Sequence, residues 1–306
     1  MEFCRPCRKV TTFKRRCGER GRDEDTSCKR FMKLLDEKIY RARLQIFRAT
    51  FPGDRRISQM IQERGVLDTA QLINEREGEI DPAEIHQKIS EVGGTFLTPE
   101  CRQWPIGLAD LSSPPVGLIV KGALPQHPMI ALVGTRNPTH YGIELARNFA
   151  SGFADHGWTI VSGGALGIDT EAHQSALAVG GETVAVLASG VDINYPASNE
   201  KLFNEISING ALISEAMPGV AAKPEKFLIR NRIIAAMTSA TIVIEAASRS
   251  GSLRTARDAA ELLRPVFALP GAITSPMSDG CHQLIAERCA EIITSFSDAL
   301  ELLGVG

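Results

Sequence analysis

Two stretches decide how this chain is read: Ala131-Leu-Val-Gly-Thr-Arg136 and, one helix-length later, Val161-Ser-Gly-Gly-Ala-Leu-Gly-Ile-Asp169. In each, a short apolar run stops at a glycine loop that opens onto an amphipathic segment. The pattern repeats along the chain on both sides of this pair. Apolar runs too brief for helices fall at residues 129–133, 159–161, 183–187, 211–213, 240–244 and 266–269. Amphipathic stretches at 141–156, 169–179, 198–208, 231–237 and 253–263 alternate with them. Apolar strands alternating with helices predict a mostly parallel sheet covered on both faces. The expected fold is a doubly wound, Rossmann-like α/β domain over residues 128–303.

Ahead of this domain, residues 94–127 are rich in proline and carry one short apolar strand at 116–120. They read as a linker that packs on the sheet. Residues 31–93 have helical periodicity, with Leu34, Leu35, Ile39, Leu44, Ile46 and Phe47 recurring at three and four. Phe51-Pro-Gly53 breaks that run and two shorter helical stretches follow, which predicts a small helical domain. Residues 1–30 hold Lys14-Arg15-Arg16, Arg20 and Arg22 together with Cys4, Cys7, Cys17 and Cys28. Cys4-Arg-Pro-Cys7 has the form of half a zinc site, but Cys17 and Cys28 do not form the second close pair. The segment therefore reads as a disordered basic tail, and no metal is expected.

The chain has 306 residues, 43% hydrophobic and 23% charged, which suits a folded domain with room for a smaller module. A formal net charge of −2 gives no global polyelectrolyte signal, so any nucleic-acid partner must meet a local basic surface. No apolar run approaches the ~20 residues of a membrane span, and the N-terminus lacks a signal-peptide pattern. The expectation is a cytoplasmic protein with no membrane contact. Cys101, Cys281 and Cys289 read as reduced thiols.

In a doubly wound sheet, ligands gather where the strands end. Those loops contain Gly134, Thr135 and Arg136, then Ser162, Gly163 and Gly164, then Lys223, Lys226 and Phe227 ahead of Arg230, Asn231 and Arg232. Glycine loops at helix starts offer backbone N–H groups to phosphate, and arginine can fork onto two phosphate oxygens. A cationic loop with an aromatic at its middle suits a stacked base. Plainer readings stand beside these. Arg136 could pair with Glu215 or Glu245, the glycines could serve only tight turns, and Phe227 could be a core anchor. Asp169 and His173, four apart at a helix start, read as structural rather than as an acid–base pair. Glu245, Ser250 and Gly251 read as loop-shaping, with Glu245 taking the backbone N–H groups of the Ser250-Gly251 turn.

Taken in order, several pieces resemble the DNA-processing protein A family, also called Smf. They are Gly134-Thr-Arg136, Ser162-Gly-Gly-Ala-Leu-Gly-Ile-Asp169 with His173, Ser189-Gly-Val-Asp192 with Tyr195-Pro196, Arg230-Asn-Arg-Ile-Ile-Ala235, Ser250-Gly-Ser252 with Thr255-Ala256, and Pro270-Gly271 with Gly280-Cys281. The region around Phe51-Pro-Gly-Asp54 and Gly65 is similar, more loosely, to the family's small N-terminal SAM-like helical domain. The resemblance implies an extended Rossmann fold that binds single-stranded DNA without sequence preference. It further implies protection of incoming strands in natural transformation, delivery to the RecA recombinase, and a homodimer. Where the family carries Phe-Pro-x-Arg-Asn, this chain has Phe227-Leu-Ile-Arg-Asn231, without the proline. Many members continue into a C-terminal winged helix, which is not expected in a sequence ending at Gly306.

Other classes fit less well. A phosphoribohydrolase-like enzyme on a related scaffold would carry Pro-Gly-Gly-x-Gly-Thr-x-x-Glu, whereas the corresponding stretch is Glu245-Ala-Ala-Ser-Arg-Ser-Gly-Ser252. A dinucleotide site would need Gly-x-Gly-x-x-Gly, and an ATPase its P-loop; neither motif is present. The reading is a non-catalytic binder with no cofactor.

Overall fold

The computed structural model describes residues 22–78 and 81–304, with the side chains of the first helix described from Asp36 onward. Four helices come first: α1 (Arg22–Ala49), α2 (Arg55–Arg64), α3 (Val66–Glu77) and α4 (Pro82–Glu91). The basic tail expected over residues 1–30 falls, through residue 21, outside the described residues, together with Cys4, Cys7 and Cys17. Its remainder is already part of α1. α1 ends where Pro52 withdraws a backbone N–H and restricts the residue before it. Asp54 then caps α2 by accepting from the Arg56 amide at 2.9 Å. Three short helices follow α1 where the sequence suggested two. Gly65, at φ +89°, closes α2 through a bond to Ile61 O and lets α3 begin at the next residue.

A nine-stranded sheet follows, in the order β1-β2-β6-β5-β4-β3-β7-β8-β9. The strands are β1 (Gly94–Leu97), β2 (Leu118–Gly122), β3 (Met129–Val133), β4 (Thr159–Ser162), β5 (Thr183–Leu187), β6 (Gly210–Ser214), β7 (Ala240–Val243), β8 (Val266–Ala268) and β9 (Glu291–Ile292). From β3 onward every pairing is parallel, while β1 and β2 join antiparallel at one edge. The segment read as a linker thus supplies two strands of the sheet rather than packing upon it. β1 is only four residues long, too short for its alternation to stand out among the prolines. Phe96 and Ile119 from these strands meet Leu44, Phe47, Ile85 and Ile89, which fastens the helical zone to this edge.

Successive residues of the central strands face opposite layers. Ala131 and Val133 pack toward α8 (Pro224–Met237) and α9 (Ser252–Glu261). Ile130 and Leu132 pack toward α5 (His140–Asp155), α6 (Ile168–Ala178) and α11 (Phe296–Leu302). Both layers being dry explains why the strands read as unbroken apolar runs. Each fully buried side chain such as Phe149 or Phe153 contributes roughly 1.5–3 kcal/mol. α7 (Glu200–Asn209) covers β5 and β6, and α10 (Asp279–Ala286) packs near β8.

The strand order reverses at β3. The chain steps outward through β4, β5 and β6, then returns to lay β7 on the other side of β3. A crevice opens between the carboxyl ends of those two strands. Across it the Thr135 amide donates to Glu245 O at 2.7 Å. Among the described residues no helix is long and apolar enough to cross a membrane.

Candidate nucleic-acid interface

The crevice is a cavity of about 610 Å³. The end of β3 contributes Gly134, Thr135, Arg136 and Asn137; the loop after β7 contributes Arg249, Ser250 and Gly251; and α8 contributes Phe227, Leu228, Arg230 and Asn231. α8 begins at Pro224, not at Asn231 as the sequence suggested. Pro224 read as a breaker, yet proline is well placed in a first helical turn, where its missing N–H has no partner to lose. Lys226 and Phe227 therefore lie on the helix instead of in a cationic loop. This places Phe227, Arg230 and Asn231 on one face at spacings of three and four.

Arg136 is exposed and forms no hydrogen bond or ion pair among the described residues. Its guanidinium carbon lies 5.2 Å from the Phe227 ring centroid. Pairing with Glu215 or Glu245 is excluded because both carboxylates are occupied. Glu215 binds Arg232 at 2.5 Å. Glu245 accepts from the Thr139 amide at 2.9 Å and the Thr139 hydroxyl at 2.6 Å, anchoring the start of α5 rather than the Ser250-Gly251 turn. Phe227 is half-buried, with Tyr195 at 5.4 Å and Arg230 at 6.0 Å from its centroid.

Arg230, Asn231 and Arg232, grouped from sequence with the candidate phosphate contacts, all turn their side chains inward. Arg230 donates through Nη1 to Gly163 O at 2.7 Å and to Val186 O, and through Nε to Asn231 Oδ1. Nη2 has no hydrogen bond among the described residues, and Arg230 lines the cavity floor. Burial, opposed by the Asp169 charge and aided by that of Arg136, lowers its pKa to about 10, so it remains charged at neutral pH. Asn231 Nδ2 donates to Gly251 O at 3.2 Å, holding the loop after β7.

The loop after β4 differs from expectation. The Gly163 and Ala165 amides donate to Asp169 Oδ2 at 3.0 and 3.3 Å, so the protein's own carboxylate occupies the nest assigned to phosphate. Burial raises the Asp169 pKa, and the Arg230 charge opposes that rise. Gly163 makes room for Arg230, since a Cβ there would collide with its guanidinium nitrogens. Gly164 needs its φ of +67°, and a Cβ would meet Phe203 at 2.6 Å. Ser162 donates to Leu132 O at 2.6 Å inside the sheet. None of these three residues reaches the cavity wall. His173 is buried against Thr183, with Nδ1 2.7 Å from its hydroxyl and no bond to Asp169 among the described residues. Lys226 bends back to Ala221 O at 3.2 Å, and Lys223 stands exposed ahead of α8.

Arg249 and Tyr195 also line the cavity, though neither was proposed as a ligand contact from sequence. Arg249 is exposed and without an ion pair among the described residues; its position just after a strand end was the available signal. Tyr195 is 49% exposed beside Phe227, and only the fold brings the two rings together. Among the described residues Asp169 is the sole carboxylate on the cavity wall, so Arg136, Arg230 and Arg249 leave the rim positive on a chain of net charge −2.

The family model for DNA recombination-mediator protein A matches residues 95–304. The chain belongs to this family. Among its relatives, Protein Smf of Synechocystis is 38% identical over 260 residues, covering 82% of this chain and 61% of that protein. The chain likewise spans 58% of a mycobacterial relative's length. In three dimensions it is similar to DNA processing protein A of Streptococcus pneumoniae, with TM-score 0.74, 33% identity, and coverage of 85% of this chain and 95% of that one. It is also similar to DNA processing protein A of Helicobacter pylori, whose structure was described for its single-stranded DNA binding mode. That match has TM-score 0.63 and 32% identity, and covers 69% of this chain and 97% of that one. In a doubly wound sheet such as this family member's, the crevice at the strand reversal is where ligands bind.

Proposed function

We propose that this protein processes DNA by binding single strands at the strand-reversal cavity, without sequence preference. The observation that carries the reading is Arg136, unpaired and exposed, lying over Phe227 beside a cavity floored by Arg230. Guanidinium groups neutralise phosphates while an aromatic face accepts whichever base arrives, at about 1–3 kcal/mol per stacked base. The binding set is Gly134, Thr135, Arg136, Phe227 and Arg249, with Arg230 and Asn231 holding the walls. Asp169 and His173 have structural partners of their own, and a binding role without catalysis suits them. Membership of the family supports a wider role in which the bound strand is protected and passed to RecA by a homodimer during transformation.

The test is a titration against single- and double-stranded oligomers at two salt concentrations, with the mass in solution measured alongside. Preferred binding of dT oligomers, weakening with salt as counterions are released, supports the reading. Equal or absent binding of single strands refutes it.

A further inference from the structure

A second cavity, of about 440 Å³, lies beside the first across α8. It is bounded by Gly53 and Arg55 of the helical zone, by residues 110–113, and by Arg254 and Asp258 on α9. Leu228, 53% exposed, belongs to the walls of both cavities, so a strand leaving the rim has one apolar ridge to cross.

The far side of that ridge mixes both signs of charge, with Arg55, Arg232 and Arg254 set among Asp110, Asp258 and Glu261. Arg55 is exposed and pairs with no carboxylate among the described residues. Arg254 commits Nε to Asp258 Oδ1 at 2.7 Å, which leaves its two terminal nitrogens open. Below them, Arg232 Nε and Nη1 and Asp258 Oδ2 are buried without hydrogen-bond partners. Glu261 adds a carboxylate at the mouth, and Asp110 is held by Arg264 at 3.1 Å. A wall that mixes guanidinium donors with carboxylate acceptors suits a nucleotide better than a bare anion, because a nucleotide brings both a phosphate and a base edge.

We infer that this second cavity receives a nucleotide of the strand bound at the rim, with Arg55 and Arg254 on its phosphate. The inference rests on the single-strand reading of the rim. It makes the helical zone part of the binding surface and lengthens the site beyond the sheet domain.

The full chain is titrated with dT oligomers of about six and about twenty nucleotides, lengths that span one and several binding steps. Arg55→Glu should weaken the longer oligomer about fivefold and reduce its salt slope by about 0.7 for each phosphate no longer neutralised, with the shorter oligomer unaffected. Arg55 is exposed and unpaired, so the fold should tolerate the change; Arg254→Gln repeats the test without placing a new charge beside Asp258. If both variants bind both lengths like the parent, the second cavity is not part of the path. Arg136→Ala separates the two ideas, because retention of both affinities in that variant removes the rim reading itself.

Discussion

The Arg136 guanidinium and the Phe227 ring touch, 5.2 Å from carbon to centroid, before any ligand arrives. A cation held on an aromatic face is worth about 0.5–1 kcal/mol when exposed. The two groups proposed for phosphate and base are therefore coupled, and engaging one alters the other. Arg136→Ala should flatten the salt slope for a dT oligomer by about 0.7 for each phosphate it ceases to neutralise, and leave the thermal melt unchanged. Phe227→Ala should cost about 1–3 kcal/mol of affinity. The double variant should depart from additivity by about 0.5 kcal/mol or more. Strict additivity would show that the pairing of cation and ring plays no part in binding, and loss of folded Phe227→Ala protein would mark the ring as core.

Arg230 is expected to act on stability more than on affinity. It ties the ends of β4 and β5 together and is the cation opposing burial of Asp169. Arg230→Ala leaves that carboxylate buried without its counter-charge, a loss of about 3–5 kcal/mol. Gly163→Ala, which pushes the guanidinium aside, should cost about 1–3 kcal/mol. Urea unfolding measures both, and a fully stable Arg230→Ala would end the idea of a clamp.

Glu215 joins the sheet domain to the helical zone. It pairs with Arg232 at 2.5 Å, and burial raises its pKa while the Arg232 charge and the Gly53 amide oppose that rise. Both side chains are nearly buried, at 10% and 14% exposure, so Glu215→Ala should destabilise by about 3 kcal/mol. Proteolysis should then begin in the turn at residues 51–54, because the anchor of that turn is lost. Unchanged resistance there would show that the apolar packing of Phe96 and Ile119 suffices for docking.

His173 predicts a sign for acid sensitivity. Burial, with the Arg230 charge acting in the same direction, lowers its pKa to about 3, so the folded protein keeps the ring neutral while the unfolded chain protonates near 6.5. The unfolded state thus binds the extra proton between those values, and stability falls as pH drops through that window. At pH 5 the loss from this group is about 2 kcal/mol relative to pH 7, at about 1.4 kcal/mol per unit. Chemical unfolding at both pH values in parent and His173→Gln should show the slope shrinking in the variant. Equal slopes would place the acid sensitivity elsewhere.

The parallel strands were legible because both faces of β3, β4 and β5 are buried, which leaves no charged residue to interrupt the run. Arg136 and Phe227 were legible as candidates because a strand-end arginine and an aromatic among cations are unusual enough to notice. Three things were not. The start of α8 was hidden by Pro224, which marks a helix start as readily as a loop. β1 was hidden by its short length among prolines, although the apolar run at 116–120 did mark β2. The fate of the Gly163 and Ala165 amides was hidden because a free nest and one filled by Asp169 share the same sequence.

By itself, then, the sequence settled what is local and periodic: apolar runs that must be strands, the glycines that end them, and the family those motifs belong to. The tertiary structure decided which charges stay free. Of the cations around the cavity, packing left Arg136 and Arg249 in solvent and drew Arg230 and Arg232 inward. A charge is spent or spared according to which carbonyl or carboxylate the fold brings within about 3 Å, and those partners come from distant strands. Sequence spacing carries no record of that distance.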